Sequence, residues 1–351
     1  MLPVIRDPIA CRYLPPRYAM ILNYSMLALM SASLLAVTLV LISAFPAAHL
    51  YRNWDPNSSG EFQRNLQRQS NLVTKCLFWL IGFQLISLFL FIYTASDICL
   101  SLTGAMCALG SLSANNYGFP VLGLKILNFF LAGLWLILNH VDNSSPVHPL
   151  TREKYAFLFA LVPLLVIETV LQGLYFAGLY PGMVTSCCGK LYSQSPHRIV
   201  FGSMAVSARP MMIAFYSCLL LTLASGLGVL RWRKGMYGFA VLNGMSFLVS
   251  MASIVSFISV YFYQLPTLHC PFCVFQKQYG YAGYVLYVLL FLGSLAGIGV
   301  GILQPFRKKT DLHQAIPAMQ RLLAATSVLL LFFFMLITSL QIIFATFKME
   351  G

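Results

Sequence analysis

Seven of the nine cysteines sit in short segments between long apolar runs: Cys11, Cys99, Cys107, Cys187, Cys188, Cys270 and Cys273. Cys270-Pro-Phe-Cys273 is a CxxC, Cys99 and Cys107 are separated by seven residues, and Cys187-Cys188 is a vicinal pair. Thiols gathered in this way serve either disulfide exchange or the handling of a soft metal. His269 and Lys277 flank the CxxC, which the apolar pattern places at the start of a helix. A helix N-terminus and nearby positive charge favour a thiolate, and so an attacking or leaving sulfur. Val274 stands where a haem c attachment site needs histidine. Adjacent cysteines such as Cys187 and Cys188 form a strained ring when oxidised. When reduced they are two soft donors, and with Cys270, Cys273 and His269 they are candidate outward ligands for copper or another thiophilic ion.

Composition says what must position these thiols. Of 351 residues, 59% are hydrophobic and 9% charged, against about 25% charged in soluble domains. Lipid is therefore the expected solvent. Eight apolar runs, near 20–49, 76–94, 121–140, 155–180, 210–230, 236–263, 281–303 and 322–347, are long enough to span a bilayer. Each must be helical, because an open strand leaves backbone groups unpaired in hydrocarbon. The expected fold is an all-α, polytopic bundle of about eight transmembrane helices in one integral membrane domain, 1–351. It divides into possible tandem four-helix halves, 20–180 and 210–347. The second and sixth runs both end in aromatic residues followed by a cysteine loop, which suggests the repeat.

Segments 50–75, 141–154, 231–235 and 304–321 carry 13 Lys and Arg, and the alternate segments carry 8. The positive-inside rule then puts the cysteine loops outside, for which a bacterial inner membrane facing an oxidising periplasm is the expected setting. The net charge of +13 is spread over short loops and points to membrane lipid rather than nucleic acid. Within the spans, Glu168 is an intramembrane carboxylate with Gln172 one turn later. It is expected to be protonated or paired and is a candidate proton relay. Cys76 and Cys218 are expected to be small buried apolar groups. Phosphate-binding and Ser-His-Asp patterns are absent from the sequence.

After Cys99 and Cys107 the chain continues Ser113-Ala-Asn-Asn-Tyr-Gly118-Phe-Pro120-Val-Leu-Gly123. A cysteine pair in an outward loop, a polar segment, then Gly-Phe-Pro opening the next helix resembles vitamin K epoxide reductase and the functionally related DsbB proteins. The resemblance implies a thiol–disulfide oxidoreductase passing electrons between external dithiols, as on a thioredoxin-like protein, and a membrane quinone. It makes Cys99 and Cys107 the shuttle pair and Cys270 and Cys273 the pair next to the quinone. It covers about 95–124 and 262–285. The chain departs from that pattern in the Cys187-Cys188 loop, in two extra intervening helices, and in lacking a fused thioredoxin domain. Copper-type metal permeation and a non-catalytic role in a larger membrane complex are the competing expectations.

Overall fold

The computed structural model describes residues 23–53, 61–105, 107–145, 148–180, 183, 185, 208–265, 269–309 and 312–345. Among them, eight helices are long and apolar enough to cross a membrane. These are α1 (Tyr24–Asn53), α2 (Glu61–Ile98), α3 (Gly118–Asp142), α4 (Thr151–Ala177), α5 (Ala208–Trp232), α6 (Met236–Tyr263), α7 (Ala282–Ile302) and α8 (Ala315–Phe344). The protein is an integral, multi-pass membrane protein with an all-α bundle. Even the shortest helix, α7 with 21 residues, extends about 31 Å at 1.5 Å per residue, which matches the hydrocarbon thickness.

The helices pack as two rings of four. In the first, α1 touches α2, α2 touches α3, α3 touches α4, and α4 returns to α1. In the second, α5, α6, α7 and α8 close in the same order. The rings meet mainly where α3 faces α7, the third helix of each. Aromatic side chains fill this seam: Phe130 stacks on Phe291 with ring centroids 5.8 Å apart, and Phe247 meets both rings edge-on. The two backbones come close at Gly133, where a Cβ would fall on Leu295. Within the bundle the halves are therefore joined through aromatic and aliphatic packing.

Consecutive helices run in opposite directions, so alternate loops share a face. The start of α1 is tied to the end of α2, where Asn23 Nδ2 and Ser25 Oγ donate to Asp97 at 3.0 and 2.9 Å. On the same face, Thr103 N donates to Met183 O and Thr185 N donates to Thr103 O. On the opposite face, Lys309 donates to Pro149 O at 2.8 Å and pairs with Glu153 at 2.6 Å, linking the α7–α8 connection to the α3–α4 connection. Beneath it, Asp142 accepts from Leu150 N and pairs with Lys154 at 2.7 Å. This buried staple fixes the α3–α4 hairpin.

Candidate functional site

Two loops in equivalent places of the two rings carry the central cysteines: that between α2 and α3, and that between α6 and α7. In the first, α2 ends in a 3₁₀ turn, Cys99–Ser101, and Cys99 Sγ donates to Ser96 O at 2.9 Å. Cys107 then stands in extended conformation before a short helical turn, Ala108–Leu112, which is wholly buried. Gly118 opens α3 directly beneath that turn, and a Cβ there would fall on the Leu112 carbonyl. The glycine that opens the Gly-Phe-Pro at this helix start is thus a steric requirement for seating the turn behind Cys107. Gly104 and Gly110 in this loop are packing positions. Gly104 adopts φ +85°, and a Cβ would lie 2.6 Å from Thr185 O; at Gly110 it would lie 2.8 Å from the Ala105 Cβ.

The second loop differs from the sequence expectation. Cys270-Pro-Phe-Cys273 does not open α7. Cys273–Phe275 and Lys277–Tyr279 form 3₁₀ turns, and α7 begins at Ala282, after Gly280 and Tyr281 in left-handed conformation. The two consecutive left-handed residues interrupt the helix that the apolar run alone suggests. The helix-dipole argument for a thiolate therefore falls away. What holds the CxxC is hydrogen bonding from tyrosines: Tyr263 Oη donates to Cys270 O at 2.6 Å and Tyr287 Oη to Pro271 O at 3.0 Å. Close packing by Gly283 adds to this, since a Cβ there would meet Val274 Cγ1 at 2.7 Å and Phe275 N at 3.0 Å. Lys277 is solvent-exposed, and His269 Nδ1 lies 3.2 Å from Val255 O. Burial, then the proximity of Cys273 and Cys270, hold the Tyr279 phenol above its ordinary pKa, so it is a neutral O–H at physiological pH.

The two loops converge. Cys107 Sγ is 3.3 Å from Cys270 Sγ, and the Sγ atoms of Cys107, Cys270 and Cys273 all lie within 4.8 Å of one another. All three residues are buried, and Cys99, also buried, is not part of this group. Residues 163 positions apart in sequence are in sulfur contact. The separation exceeds the ~2.05 Å of a disulfide, so the sulfurs touch without being bonded. Three soft donors at this range can exchange a disulfide or share a thiophilic ion. Of the metal candidates read from sequence, Cys187 and Cys188 lie outside the described residues, as does Cys11. His269 is not in the three-sulfur group, and Cys107, which was not among those candidates, is.

A second polar centre lies within the first ring. Glu168 Oε1 pairs with Lys125 Nζ at 2.6 Å, and Glu168 Oε2 accepts from Gln84 Nε2 and Asn128 Nδ2. Lys125 also donates to Ser87 Oγ at 2.7 Å and lies over the Phe91 ring at 5.4 Å. Both charged side chains are buried, at 0% and 3% exposure. Glu168 is thus paired, and its partner is a lysine that sequence reasoning passed over. Lys125 is the one of 22 basic residues in neither set of loops, and that remainder was the available signal. Cys76 corrects another expectation: it is exposed on the lipid-facing side of α2, because its neighbour Leu77 takes the inward position. Cys218 is half-buried, 3.3 Å from Ser246 Oγ.

The chain matches no family model, no curated protein and no solved structure.

Proposed function

We propose that the protein is a membrane thiol–disulfide oxidoreductase in which Cys99 and Cys107 exchange with an external dithiol and Cys270 and Cys273 pass electrons to a membrane quinone. The observation that carries this reading is the 3.3 Å contact between Cys107 and Cys270. It selects the sulfurs that exchange. With the loop pair reduced and the CxxC oxidised, the Cys107 thiolate attacks Cys270. The Cys107–Cys270 bond forms, the Cys270–Cys273 bond breaks, and Cys273 leaves as a thiolate that takes a proton. Cys99, having lost its proton, then attacks Cys107, and Cys270 leaves and is protonated. Two electrons and two protons have moved from the loop pair to the CxxC. A thioredoxin-like dithiol in a periplasm-type compartment would reduce the loop pair again, and a quinone would take the two electrons and two protons from the CxxC to become quinol. A bacterial inner membrane with the cysteine face outward suits this chemistry.

A soft-metal role is the second reading, and the three-sulfur group favours it over any site using His269. The spacing favours exchange. Thiolates about 2.3 Å from a common zinc lie roughly 3.8–4.0 Å apart, whereas Cys107 and Cys270 are at 3.3 Å.

The test is a Cys99→Ser/Cys273→Ser variant, which removes both resolving thiols, in membranes treated with a mild thiol oxidant. A non-reducing digest should yield a Cys107–Cys270 linked peptide. In wild-type membranes, a soluble quinone should then turn Cys270 and Cys273 from alkylatable to protected. No linked peptide, or thiols indifferent to quinone while Cu(I) shields Cys107, Cys270 and Cys273 together, would put the metal reading first.

A further inference from the structure

The buried pair in the first ring does not stand alone. Glu168, Gln172 and Tyr175 occupy positions i, i+4 and i+7 of α4 and so form one stripe. All three are buried. The stripe climbs about 10 Å from Glu168 toward the cysteine face. Along it, three buried polar atoms have no protein partner: Asn128 Oδ1 next to Glu168, Gln172 Oε1 and Tyr175 Oη; six more such atoms, Ser96 Oγ among them, lie on other helix faces or elements. Gln172 Nε2 donates to Ser33 Oγ of α1 at 3.3 Å. Phe91 bridges the stripe, with the Lys125 ammonium over its ring and the Tyr175 ring 5.7 Å from it. Ser96 supplies the backbone oxygen that holds the Cys99 thiol.

Buried polar atoms without a protein partner are costly in hydrocarbon, and ordered water is what ordinarily satisfies them. One such atom is unremarkable, but three in succession beside one stripe of α4, from an intramembrane ion pair toward the end of that helix, form a row. We propose that this row is a hydrated lane delivering protons from the cysteine-bearing face to the Lys125–Glu168 pair. A hydronium ion entering beside Tyr175, two residues before α4 ends at Ala177, passes its excess proton along water, Tyr175 and Gln172 to Glu168. The carboxylate becomes a carboxylic acid, one water is released, and the site gains one positive charge. Lys125 remains an ammonium, still bonded to Ser87 and still over the Phe91 face, which holds the cation once the carboxylate is neutral. Lys125 and Glu168 are the charged groups of the pair, Tyr175 is titratable, and Asp97, held by Asn23 and Ser25, is a carboxylate at the cysteine-face end of α2. Gln84 and Ser87 of α2, Asn128 of α3 and Ser33 of α1 are neutral. The inference stands on these contacts and not on the thiol chemistry proposed above.

Ser33→Cys and Ser31→Cys test the lane. Both replace a hydroxyl with a thiol of similar size, two residues apart on α1. Ser33 is 6% exposed and faces Gln172, whereas Ser31 is exposed to lipid. The protein is reconstituted in phosphatidylcholine vesicles. A small cationic methanethiosulfonate is added from the cysteine face and its site read by peptide mass mapping, because nine native cysteines remain. Ser33→Cys should react about tenfold faster or more, since the thiolate forms in water and not in hydrocarbon. Equal rates, or faster labelling of Ser31→Cys, mean a dry interior and overturn the lane. Delivery to Glu168 is read separately by infrared spectroscopy after a downward pH jump. A protonated-carboxyl C=O band should appear in the wild type, be absent in Glu168→Gln and rise several-fold more slowly in Tyr175→Phe. A band unchanged in Glu168→Gln, no band at all, or one that rises equally fast in Tyr175→Phe would overturn proton delivery along this row. The Ser33 and Tyr175 measurements hold even if Glu168→Gln does not fold.

Discussion

Replacing Lys125 with methionine keeps the length and apolar stem of the side chain and removes only the ammonium. At 2.6 Å from Glu168 Oε1, the attraction between unit charges is about 6 kcal/mol at an effective dielectric constant near 20. That gross figure is offset by the cost of bringing both ions out of water, so the pair contributes far less in net terms. The loss is larger than the net contribution, because Glu168 is left as a buried charge with only the Gln84 and Asn128 amides as partners. Removing one member of a buried pair costs about 3–5 kcal/mol. Lys125→Met should therefore destabilise by that amount. Lys125→Met/Glu168→Gln removes both charges and should be less destabilised than Lys125→Met alone, by about 2 kcal/mol or more. The assay is reversible unfolding in mixed micelles of increasing denaturing-detergent fraction, followed by helicity, for wild type, both single variants and the double variant. Additive losses, or a Lys125→Met protein within about 0.5 kcal/mol of wild type, would show that the two groups do not depend on each other.

Other expectations follow from the same geometry. Gly118→Ala and Gly283→Ala each push against backbone that seats a cysteine loop. Each should cost about 1–3 kcal/mol and reduce formation of the Cys107–Cys270 cross-link in the Cys99→Ser/Cys273→Ser background, while Gly123→Ala, with open space around it, should leave cross-linking unchanged. Asp142→Ala leaves Lys154 buried without its carboxylate and should cost about 3–5 kcal/mol. Lys309→Ala, whose pair with Glu153 is about a third exposed, should cost under about 1 kcal/mol; parallel detergent unfolding distinguishes them. An impermeant maleimide added to intact cells should label reduced Cys270 slowly, as its burial requires, and only from outside; labelling solely after lysis would reverse the orientation given by the basic loops.

The eight spans were legible because a bilayer makes simple demands: some 20 apolar residues and full backbone pairing. Most span boundaries shifted by only a few residues for the same reason, but α2 starts 15 residues and α8 seven residues before its apolar run, because turns carrying polar residues precede the apolar part of each helix. What stayed hidden depended on contacts between distant segments. That the α2–α3 and α6–α7 loops meet follows from the closure of each ring and the packing of α3 on α7, and no local pattern encodes that seam. The CxxC was misplaced by a single local fact, the left-handed pair Gly280 and Tyr281, because hydropathy is blind to backbone conformation. Lys125 shows another blindness. One lysine in 25 residues barely lowers the hydropathy of α3, yet it supplies the charge that lets Glu168 remain in the membrane. An intramembrane carboxylate is itself a prompt to search for its cation, because an ion without a partner at that depth is the costlier alternative. Across the other spans most basic residues lie near helix ends, and Lys75, further inside α2, is exposed; among the described residues Lys125 is the one buried at mid-span. Placed one turn from Asn128 and within reach of two other helices, it makes the first ring polar at its centre. The aromatic seam and the second ring's hydroxyl contacts, such as Thr222 with Ser246 and Ser327 with Asn243, carry no charge. The two rings share a plan of packing but not of chemistry: among the described residues the buried charges lie in the first ring, and the three clustered sulfurs lie where the two meet.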